Sequence, residues 1–231
     1  MQAVILAAGM GTRMGKLTKE TPKPLLKLNS IPIIEHIIRA LPESIEDIII
    51  VTSPNTVSKF KAQFGDQFQT SKGLRPIAYA IQSNEMAGTY GALHSAKPYL
   101  KKEFIVLNGD DIIDTESLEE LIRHDLAMGF SKQIPPAPNY FIFKLNSEGF
   151  VQEMVRPSDQ EAKSKQLIAT GTYKLNSSIW DLQPVHLSGN EYGLPQTLQP
   201  ILNKFRGVTL KKWLKINTPE DLEIAKANLK H

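Results

Sequence analysis

The sequence predicts an α/β fold in which a parallel sheet is covered by helices on both faces. In the first half of the chain, short and continuously apolar runs alternate with helical segments of about ten residues. Strands without a polar side are typical of a doubly wound sheet, because helices bury both of their faces. The chain has 231 residues, of which 41% are hydrophobic and 22% are charged. This length suits one large domain or two small ones, and the composition excludes disorder as the dominant state.

The elements of the first half follow from this alternation. We predict strands at the apolar runs Val4–Ala7, Asp47–Thr52, Ile77–Ile81 and Phe104–Leu107. We predict helices between and after them, at Ile33–Leu41, Thr56–Phe64, Gly91–Tyr99 and Leu118–Met128. Gly65 and Gly129 are expected to end two of these helices. Sheets of this kind bind ligands at the carboxyl ends of their strands, where Gly9 and Asp110 fall.

The second half is predicted to extend the same sheet. Its strands are expected at Tyr140–Leu145, Phe150–Val155 and Leu167–Leu175, and its helices at Pro195–Phe205 and Thr218–Leu229. Thr218 is expected to cap the last helix, which has acidic residues in its first turn. The stretch Ser131–Asn139 holds three prolines and is predicted to be a loop or an edge segment. We therefore expect a single domain over residues 1–231.

The overall composition limits the classes of function. With 27 Lys and Arg against 24 Asp and Glu, the formal net charge is +3, which gives no ground for a nucleic-acid or membrane partner. The chain has no cysteine, so disulfides, cysteine-bound zinc and thiol catalysis are excluded. No apolar run approaches the roughly 18 residues of a bilayer span. Because the N-terminus lacks the basic start of a signal peptide, we expect a cytoplasmic protein.

A glycine-rich loop follows the first predicted strand, but two familiar phosphate-binding motifs do not fit it. The P-loop pattern requires glycine where Met10 stands, and Ser or Thr where Leu17 stands. The dinucleotide-binding fingerprint requires a third glycine where Met14 stands. Both motifs are therefore rejected.

The residues after the loop complete a longer pattern, G-x-G-T-R-x4-T-x3-P-K-P-L, which runs from Gly9 to Leu25. This pattern resembles the signature of the sugar-phosphate nucleotidyltransferases, which join an NTP to a phosphorylated small molecule and release pyrophosphate. The physical chemistry agrees, because backbone N–H groups near Gly9 and Gly11 can approach phosphate oxygens where no Cβ intrudes. Arg13 offers a forked, permanent cation, and Lys23 offers a point charge held between two prolines.

The resemblance extends over almost the whole chain. It implies a Rossmann-like three-layer α/β/α sandwich with a mixed, mostly parallel central sheet, of the nucleotide-diphospho-sugar transferase type. It also implies a nucleotide-binding half, residues 1–130, and an acceptor-binding half, residues 131–231. Arg13 and Lys23 are implied as the catalytic cations. The implied nucleotide-binding residues are Leu6, Ala8, Gly9, Gly11, Thr12, Arg13, Gln82, Gly88 and Thr89.

The resemblance further implies a Mg²⁺ site built from two distant segments. The residues after the Phe104–Leu107 run resemble the family's Gly-Asp motif, with Asp110 as a metal ligand. The C-terminal stretch resembles the family's closing segment in two registers. The sugar-phosphate register puts Lys215 at the position of a metal-binding aspartate, whereas the register of the small phosphocholine cytidylyltransferases puts Asn217 there. We assign Asn217 as the second ligand, because its amide oxygen is a neutral donor that Mg²⁺ tolerates.

The acceptor side matches the family least. Its implied binding residues are Asp111, Arg156, Glu191 and Lys215. We expect the partners to be an NTP and a sugar 1-phosphate. The alternative is a CTP-dependent cytidylyltransferase acting on phosphocholine or a similar alcohol phosphate, which the Asn217 register favours, as does Tyr90 at a position where sugar-nucleotide enzymes usually have alanine. A second alternative, supported by Lys215 and Asn217, is a catalytically weakened nucleotide-binding or regulatory protein. The sequence leaves the nucleobase and a homo-oligomeric state undecided.

Overall fold

The computed structural model describes residues 1–71, 73–137 and 140–229 of the chain. Its strands, in chain order, are β1 (Gln2–Leu6), β2 (Lys27–Leu28), β3 (Ile31–Pro32), β4 (Asp47–Thr52), β5 (Gln67–Thr70), β6 (Gly73–Ile81), β7 (Glu103–Asn108), β8 (Asp111–Ile113), β9 (Ala127–Gln133), β10 (Ile142–Leu145), β11 (Val151–Val155), β12 (Gln166–Asn176), β13 (Val185–His186), β14 (Tyr192–Gly193), β15 (Arg206–Thr209) and β16 (Trp213–Lys215). Its α-helices are α1 (Ile33–Ala40), α2 (Val57–Phe64), α3 (Gly88–Ala96), α4 (Thr115–Ile122), α5 (Leu194–Leu198) and α6 (Pro219–Asn228). Short 3₁₀ helices lie at Thr12–Thr18, Lys23–Leu25, Lys97–Tyr99, Glu161–Lys163, Ser177–Asp181 and Gln199–Lys204.

The main sheet has ten strands in the order β11-β10-β12-β7-β1-β4-β6-β5, with β9 beside β12 and β15 beside β9. Strands β7, β1, β4 and β6 run parallel to one another. Strand β12 is antiparallel to β7 and continues the sheet into the second half of the chain. The side chains of β1, β4 and β7 are buried almost throughout, which explains why these strands are continuously apolar. The predicted mixed, mostly parallel central sheet is confirmed.

Helices cover both faces of this sheet and form two apolar cores. On one face, Ile33 of α1 and Leu222 of α6 pack in the same cluster as Ile5. On the other face, Leu93 of α3 packs in the same cluster as Val4. Since consecutive side chains of a strand point to opposite faces, β1 contributes to both cores. The predicted three-layer α/β/α sandwich is therefore confirmed.

The chain around Gly129 is a strand where the sequence predicted a helix and then a loop. Strand β9 takes up the end of the predicted helix Leu118–Met128 and the start of the predicted loop Ser131–Asn139. Ala127 is fully buried and pairs with β12 on one side and β15 on the other. A Cβ on Gly129 would come within 3.1 Å of Leu210, so this glycine permits close packing and does not end a helix. Residues 138 and 139 of the predicted loop lie outside the described residues.

The C-terminal helices differ in how well the sequence predicted them. The predicted helix Pro195–Phe205 is split into α5 and a 3₁₀ segment, and β15 follows at once. The predicted cap of α6 is confirmed, because Thr218 Oγ1 accepts a hydrogen bond from the Asp221 backbone N–H at 3.2 Å. The Asp221 carboxylate accepts one in return from the Thr218 backbone N–H, which completes a capping box.

Two short strands that the sequence did not predict bring the C-terminal segment to the main sheet. Strand β16 pairs antiparallel with β8, and this register puts Lys215 opposite Asp111. The backbone N–H of Ile216 then donates to the Asp110 carbonyl at 3.0 Å. As a result, the residues after β16 lie at the carboxyl end of β7.

The part of the chain that the structure describes contains no helix long and apolar enough to span a bilayer. Its longest α-helix, α6, has 10 residues.

Candidate active site at the carboxyl edge of the sheet

A cleft of about 1140 Å³ lies along the carboxyl edge of the parallel strands. Its walls include the glycine-rich loop after β1, the residues after β7, and the segment that contains Gly88 and Thr89. This is the edge at which doubly wound sheets bind their ligands. All the residues predicted to bind the nucleotide line this cleft: Leu6, Ala8, Gly9, Gly11, Thr12, Arg13, Gln82, Gly88 and Thr89.

The two glycines of the loop serve different purposes. Gly11 has a φ of 63°, and a Cβ there would come within 2.9 Å of the Lys23 side chain, so the loop itself requires glycine at this position. Thr18 holds the same turn, because its hydroxyl donates to the Gly11 carbonyl at 3.0 Å. A Cβ on Gly9, in contrast, would have no heavy atom within 4 Å. Gly9 therefore leaves free space on the cleft side, where a ligand can approach the backbone.

Four of the predicted site residues meet at one point of the cleft. Lys23 is 6% exposed, and its ammonium group forms an ion pair with Asp110. The same nitrogen donates to Asn217 Oδ1 at 3.0 Å. Arg13 is exposed, and its Nη2 also donates to Asn217 Oδ1 at 3.0 Å. Two cationic side chains and two side chains with accepting oxygens thus meet here. The cations come from the glycine loop and the Pro-Lys-Pro turn, and the oxygens come from the residues after β7 and after β16.

Asn217 owes its position to backbone hydrogen bonds on its C-terminal side. Asp221 Oδ2 accepts hydrogen bonds from the backbone N–H groups of Asn217, at 2.8 Å, and of Thr218, at 3.2 Å. Lys215 Nζ lies 3.4 Å from Asp221 Oδ1 and forms an ion pair with it. Asn217 therefore lies in the cluster, whereas the charge of Lys215 is engaged beside the helix cap. The assignment of Asn217 as the second metal ligand stays a prediction.

Asp111 differs sharply from its neighbour Asp110 in its environment. Its side chain is buried, and it accepts a hydrogen bond from Asn108 Nδ2 at 2.9 Å. Burial and the nearby charge of Asp110 raise the pKa of Asp111 to about 8. Gly171 leaves room for this contact, since a Cβ there would come within 2.4 Å of Asn108 Nδ2. Burial therefore favours the protonated form of the Asp111 carboxyl.

Gln82 holds the loop that precedes α3. Its Nε2 donates to the Gly88 carbonyl at 2.9 Å and to the Met86 carbonyl at 3.3 Å, so both amide protons are engaged. Gly88 has a φ of 80°, and a Cβ there would come within 2.5 Å of the Tyr192 carbonyl oxygen. Thr89 Oγ1 accepts from the Leu194 backbone N–H at 2.9 Å. These contacts engage the amide nitrogen of Gln82, and the predicted base contact of Gln82 stays a prediction.

The residues predicted to bind the acceptor are not gathered in one place. Asp111 and Glu191 line the cleft, whereas Arg156 and Lys215 are not among its lining residues. The exposed guanidinium of Arg156 stacks 4.1 Å from the ring centre of Phe141, which is itself a wall of the cleft. The acceptor-binding roles of all four residues stay predictions.

Tyr90 does not contact the nucleotide side of the cleft. Its side chain is 3% exposed and lies in the core, where its ring centre is 6.5 Å from that of Trp180. The departure from the usual alanine is therefore accommodated by core packing. This removes Tyr90 as an argument for the cytidylyltransferase alternative.

Sequence reasoning missed one polar contact in the centre of the site. Asn217 Nδ2 donates to the hydroxyl of Tyr140 at 3.1 Å. Tyr140 follows the proline-containing segment and was assigned only to a strand, because nothing in its local pattern marks it as functional. Its role depends on a residue 77 positions away, a distance that no local pattern covers.

A model of the nucleotidyl transferase family matches residues 2–224. The chain belongs to this family. A relative from Methanococcus vannielii, the bifunctional protein GlmU, is 33% identical over 231 residues, which cover 96% of this chain and 53% of that protein. This nucleotidyl transferase thus spans about half the length of the GlmU relatives that it matches. The UTP–glucose-1-phosphate uridylyltransferase YngB of Bacillus subtilis is 32% identical over 236 residues, which cover 88% of this chain and 79% of that relative.

A solved structure has the same fold as this nucleotidyl transferase. The inositol-1-phosphate CTP transferase from T. maritima superposes with a TM-score of 0.77, over 99% of this chain and 96% of that one. Its sequence identity is 16%, so the likeness concerns the fold alone. The agreement over the whole length supports the predicted fold type.

Proposed function

We propose that this nucleotidyl transferase joins an NTP to the phosphate of a sugar 1-phosphate and releases pyrophosphate. The observation that carries the proposal is the cluster of Arg13, Lys23, Asp110 and Asn217 beside the glycine-rich loop. These side chains supply positive charge and oxygen ligands at the edge where a triphosphate would lie. Similarity to YngB, whose name gives UTP and glucose 1-phosphate as substrates, supports the substrate class.

The reaction needs no general base among the side chains. A phosphate monoester loses its second proton near pKa 6, so the acceptor oxygen is already a nucleophile at pH 7. That oxygen attacks the α-phosphorus, a new P–O bond forms, and the bond to pyrophosphate breaks. In this proposal Arg13 neutralises the leaving pyrophosphate, and Lys23 stabilises charge on the α-phosphate. Catalysis then comes from position and charge.

The donor set at the cluster fits a hard divalent ion, for which we propose Mg²⁺. Asp110 and Asn217 offer one carboxylate and one amide oxygen, and both already contact the same ammonium nitrogen of Lys23. Both oxygens thus face one cationic nitrogen, which supports a shared cation site. Among the described residues, no group of three or more His, Cys, Asp or Glu side chains forms a further metal site. When bound, Mg²⁺ would neutralise phosphate charge, with phosphate oxygens and water completing its coordination.

A second candidate is transfer of a cytidylyl group to phosphocholine or a similar alcohol phosphate. The observation that favours it is the position of Asn217 in the cluster. When the C-terminal segment is aligned with the phosphocholine cytidylyltransferases, Asn217 stands where those enzymes have a metal-binding aspartate. The exposed acid Glu191 lines the cleft and could hold a cationic or hydroxylated acceptor. The third hypothesis, a catalytically weakened nucleotide-binding protein, is based on Lys215 and Asn217. Lys215 no longer supports it, because this side chain is paired with Asp221.

A matrix of substrates tests these candidates. The four common NTPs are each combined with hexose 1-phosphates and with phosphocholine, and pyrophosphate release is measured at saturating Mg²⁺. We expect release with one NTP and a sugar 1-phosphate. Release with CTP and phosphocholine alone would establish the second candidate. If every pair is inactive while an NTP still raises the thermal midpoint, the protein binds nucleotide without transferring it.

A further inference from the structure

Asn217 is held by hydrogen bonds on both sides of its side-chain amide. Arg13 and Lys23 each donate to Oδ1 at 3.0 Å. Tyr140 lies on the other side, where its hydroxyl accepts from Nδ2 at 3.1 Å. The three contacts together determine how the plane of the amide is oriented in the cleft.

The chemistry of these partners permits only one orientation of the amide. Arginine and lysine side chains donate hydrogen bonds and cannot accept them, so the oxygen of Asn217 must face Arg13 and Lys23. The amide nitrogen must then face Tyr140, whose hydroxyl can accept. A flipped amide would put N–H groups against two cations, so Arg13 and Lys23 decide the orientation.

From this arrangement we infer that Tyr140 is a positioning residue, which keeps the carbonyl oxygen of Asn217 directed at the metal site. The inference rests on the proposed function, in which Asn217 Oδ1 binds the divalent ion. When a divalent ion binds to Oδ1, its charge displaces the cationic groups of Arg13 and Lys23, which then no longer hold the amide. The hydrogen bond from Asn217 Nδ2 to the Tyr140 hydroxyl remains as the contact that holds it.

This requirement arises because the second ligand is an amide. A carboxylate presents an oxygen in either orientation, so a flip does not remove its metal-binding atom. An amide presents an oxygen in one orientation and an N–H group, which repels a cation, in the other. Tyr140 thus supplies a contact that the amide of Asn217 needs and that an aspartate at this position would not need.

The ring of Tyr140 is well placed for this role. It packs edge-on against Trp213, with ring centres 6.4 Å apart, and Lys215 Nζ lies 6.0 Å from its centre. A tyrosine hydroxyl is neutral at physiological pH, so its oxygen can accept the N–H of Asn217.

A double-mutant cycle on Mn²⁺ binding tests the inference. The dissociation constant of Mn²⁺ is measured by electron paramagnetic resonance for the wild type, Tyr140→Phe, Asn217→Asp and the double variant, with the metal alone as probe. We expect Tyr140→Phe to weaken Mn²⁺ binding about fivefold, as for the loss of one hydrogen bond. In the Asn217→Asp background the same change should alter the constant by less than about twofold.

Tyr79→Phe provides the matched control. The hydroxyl of Tyr79 donates to the Gly65 carbonyl at 2.6 Å, and Tyr79 is not among the residues that line the cleft. Loss of the Tyr79 hydroxyl should leave the dissociation constant of Mn²⁺ unchanged in the wild type and in Asn217→Asp. If removing any tyrosine hydroxyl affected Mn²⁺ binding, Tyr79→Phe and Tyr140→Phe would change this constant equally.

The outcomes separate a failure of the inference from a failure of the proposed function. If Asn217→Ala weakens Mn²⁺ binding but Tyr140→Phe does not, Tyr140 has no positioning role and the inference is overturned. An equal loss from Tyr140→Phe in both backgrounds also overturns it, because the hydroxyl would then act independently of the amide. If Asn217→Ala leaves Mn²⁺ binding unchanged, the proposed metal ligand itself is wrong.

Discussion

Lys23 and Asp110, which are 87 residues apart in the chain, form an ion pair inside the cleft. Because Lys23 also donates to Asn217, one ammonium group bridges both oxygen donors proposed for the metal. An ammonium and a divalent cation repel each other at such short range. The ammonium must therefore leave this position when the metal binds, and the phosphates of a nucleotide offer it a new partner.

Replacing Lys23 with methionine should tighten the binding of Mg²⁺ to the nucleotide-free protein while slowing turnover. Without Mg²⁺ the variant should lose about 2 kcal/mol of stability, because a partly buried carboxylate is left without its cation. Thermal unfolding with and without Mg²⁺ measures both effects, and Lys27→Met, at an exposed position of β2, serves as the control. If Mg²⁺ raised the midpoint of the variant no more than that of the wild type, the exchange of cations would be refuted.

Arg13→Ala should lower kcat by about 100- to 1000-fold with little change in the thermal midpoint. Arg13 is exposed, and its hydrogen bond to Asn217 contributes little to the fold compared with its proposed action on pyrophosphate. Lys16→Ala, at an exposed cation of the same 3₁₀ segment, should retain normal turnover. Steady-state pyrophosphate release compares the two. Wild-type kinetics for Arg13→Ala would remove this residue from the mechanism.

Gly9→Ala should raise KM for the NTP by about tenfold while leaving stability nearly unchanged. The added methyl group would meet no protein atom within 4 Å, so its effect must come from the ligand. Gly91→Ala provides the contrast, since its Cβ would come within 1.9 Å of the Met86 carbonyl and should destabilise the fold by about 1–3 kcal/mol. Chemical denaturation and NTP titrations distinguish the two. Equal KM values for Gly9→Ala and the wild type would argue against close approach of the phosphates there.

Asn217→Asp should lower the Mg²⁺ concentration required for half-maximal rate, because it adds an anionic charge at the metal site. Lys215→Asp should instead destabilise the protein. In the wild type, Lys215 Nζ lies 3.4 Å from Asp221 Oδ1, and a carboxylate at position 215 would repel that of Asp221. Mg²⁺ titrations at saturating NTP and thermal midpoints test the pair. Higher activity of Lys215→Asp at low Mg²⁺ would favour the other register.

Asp111 should make the metal-free protein less stable as the pH rises. Its pKa is raised from 3.8 to about 8 in the folded state, so the folded state holds a proton that the unfolded state has released. The contribution to stability is complete below pH 3.8 and is lost as the pH rises to about 8. Asp111→Asn should flatten this decline and be more stable than the wild type at pH 8. Urea unfolding in EDTA between pH 3.8 and about 8 measures the free energy of unfolding of the wild type and the variant. If the two free energies ran parallel over this range, Asp111 would be ionised throughout it.

The parallel part of the fold could be predicted well because the pattern of neighbouring residues identifies each of its strands. The apolar run Asp47–Thr52 has the same bounds in the structure as in the prediction, since a strand buried on both faces can contain little else. The pattern from Gly9 to Leu25 also placed Arg13 and Lys23 in the cleft. In both cases neighbouring residues carry the signal.

The sequence failed where distant residues decide the structure. Met128 and Gly129 fit the end of a helix locally, yet pairing with β12 and β15 makes them a strand. The contact between Tyr140 and Asn217 depends on the pairing of β16 with β8, strands that are each three residues long. Strands this short carry too few residues to show a period.

The hydrogen bond between Arg13 and Asn217 joins residues 204 positions apart, which has a consequence for the order of folding. Contacts of such long range close late, because the entropy of loop closure must be overcome first. A growing polypeptide can pair β1, β4 and β7 before the segment that contains Asn217 has been added. Its cation cluster cannot form until β16 has joined β8. A partly synthesised chain that has not yet reached β16 therefore has a sheet and a glycine loop but lacks one arm of its proposed metal site.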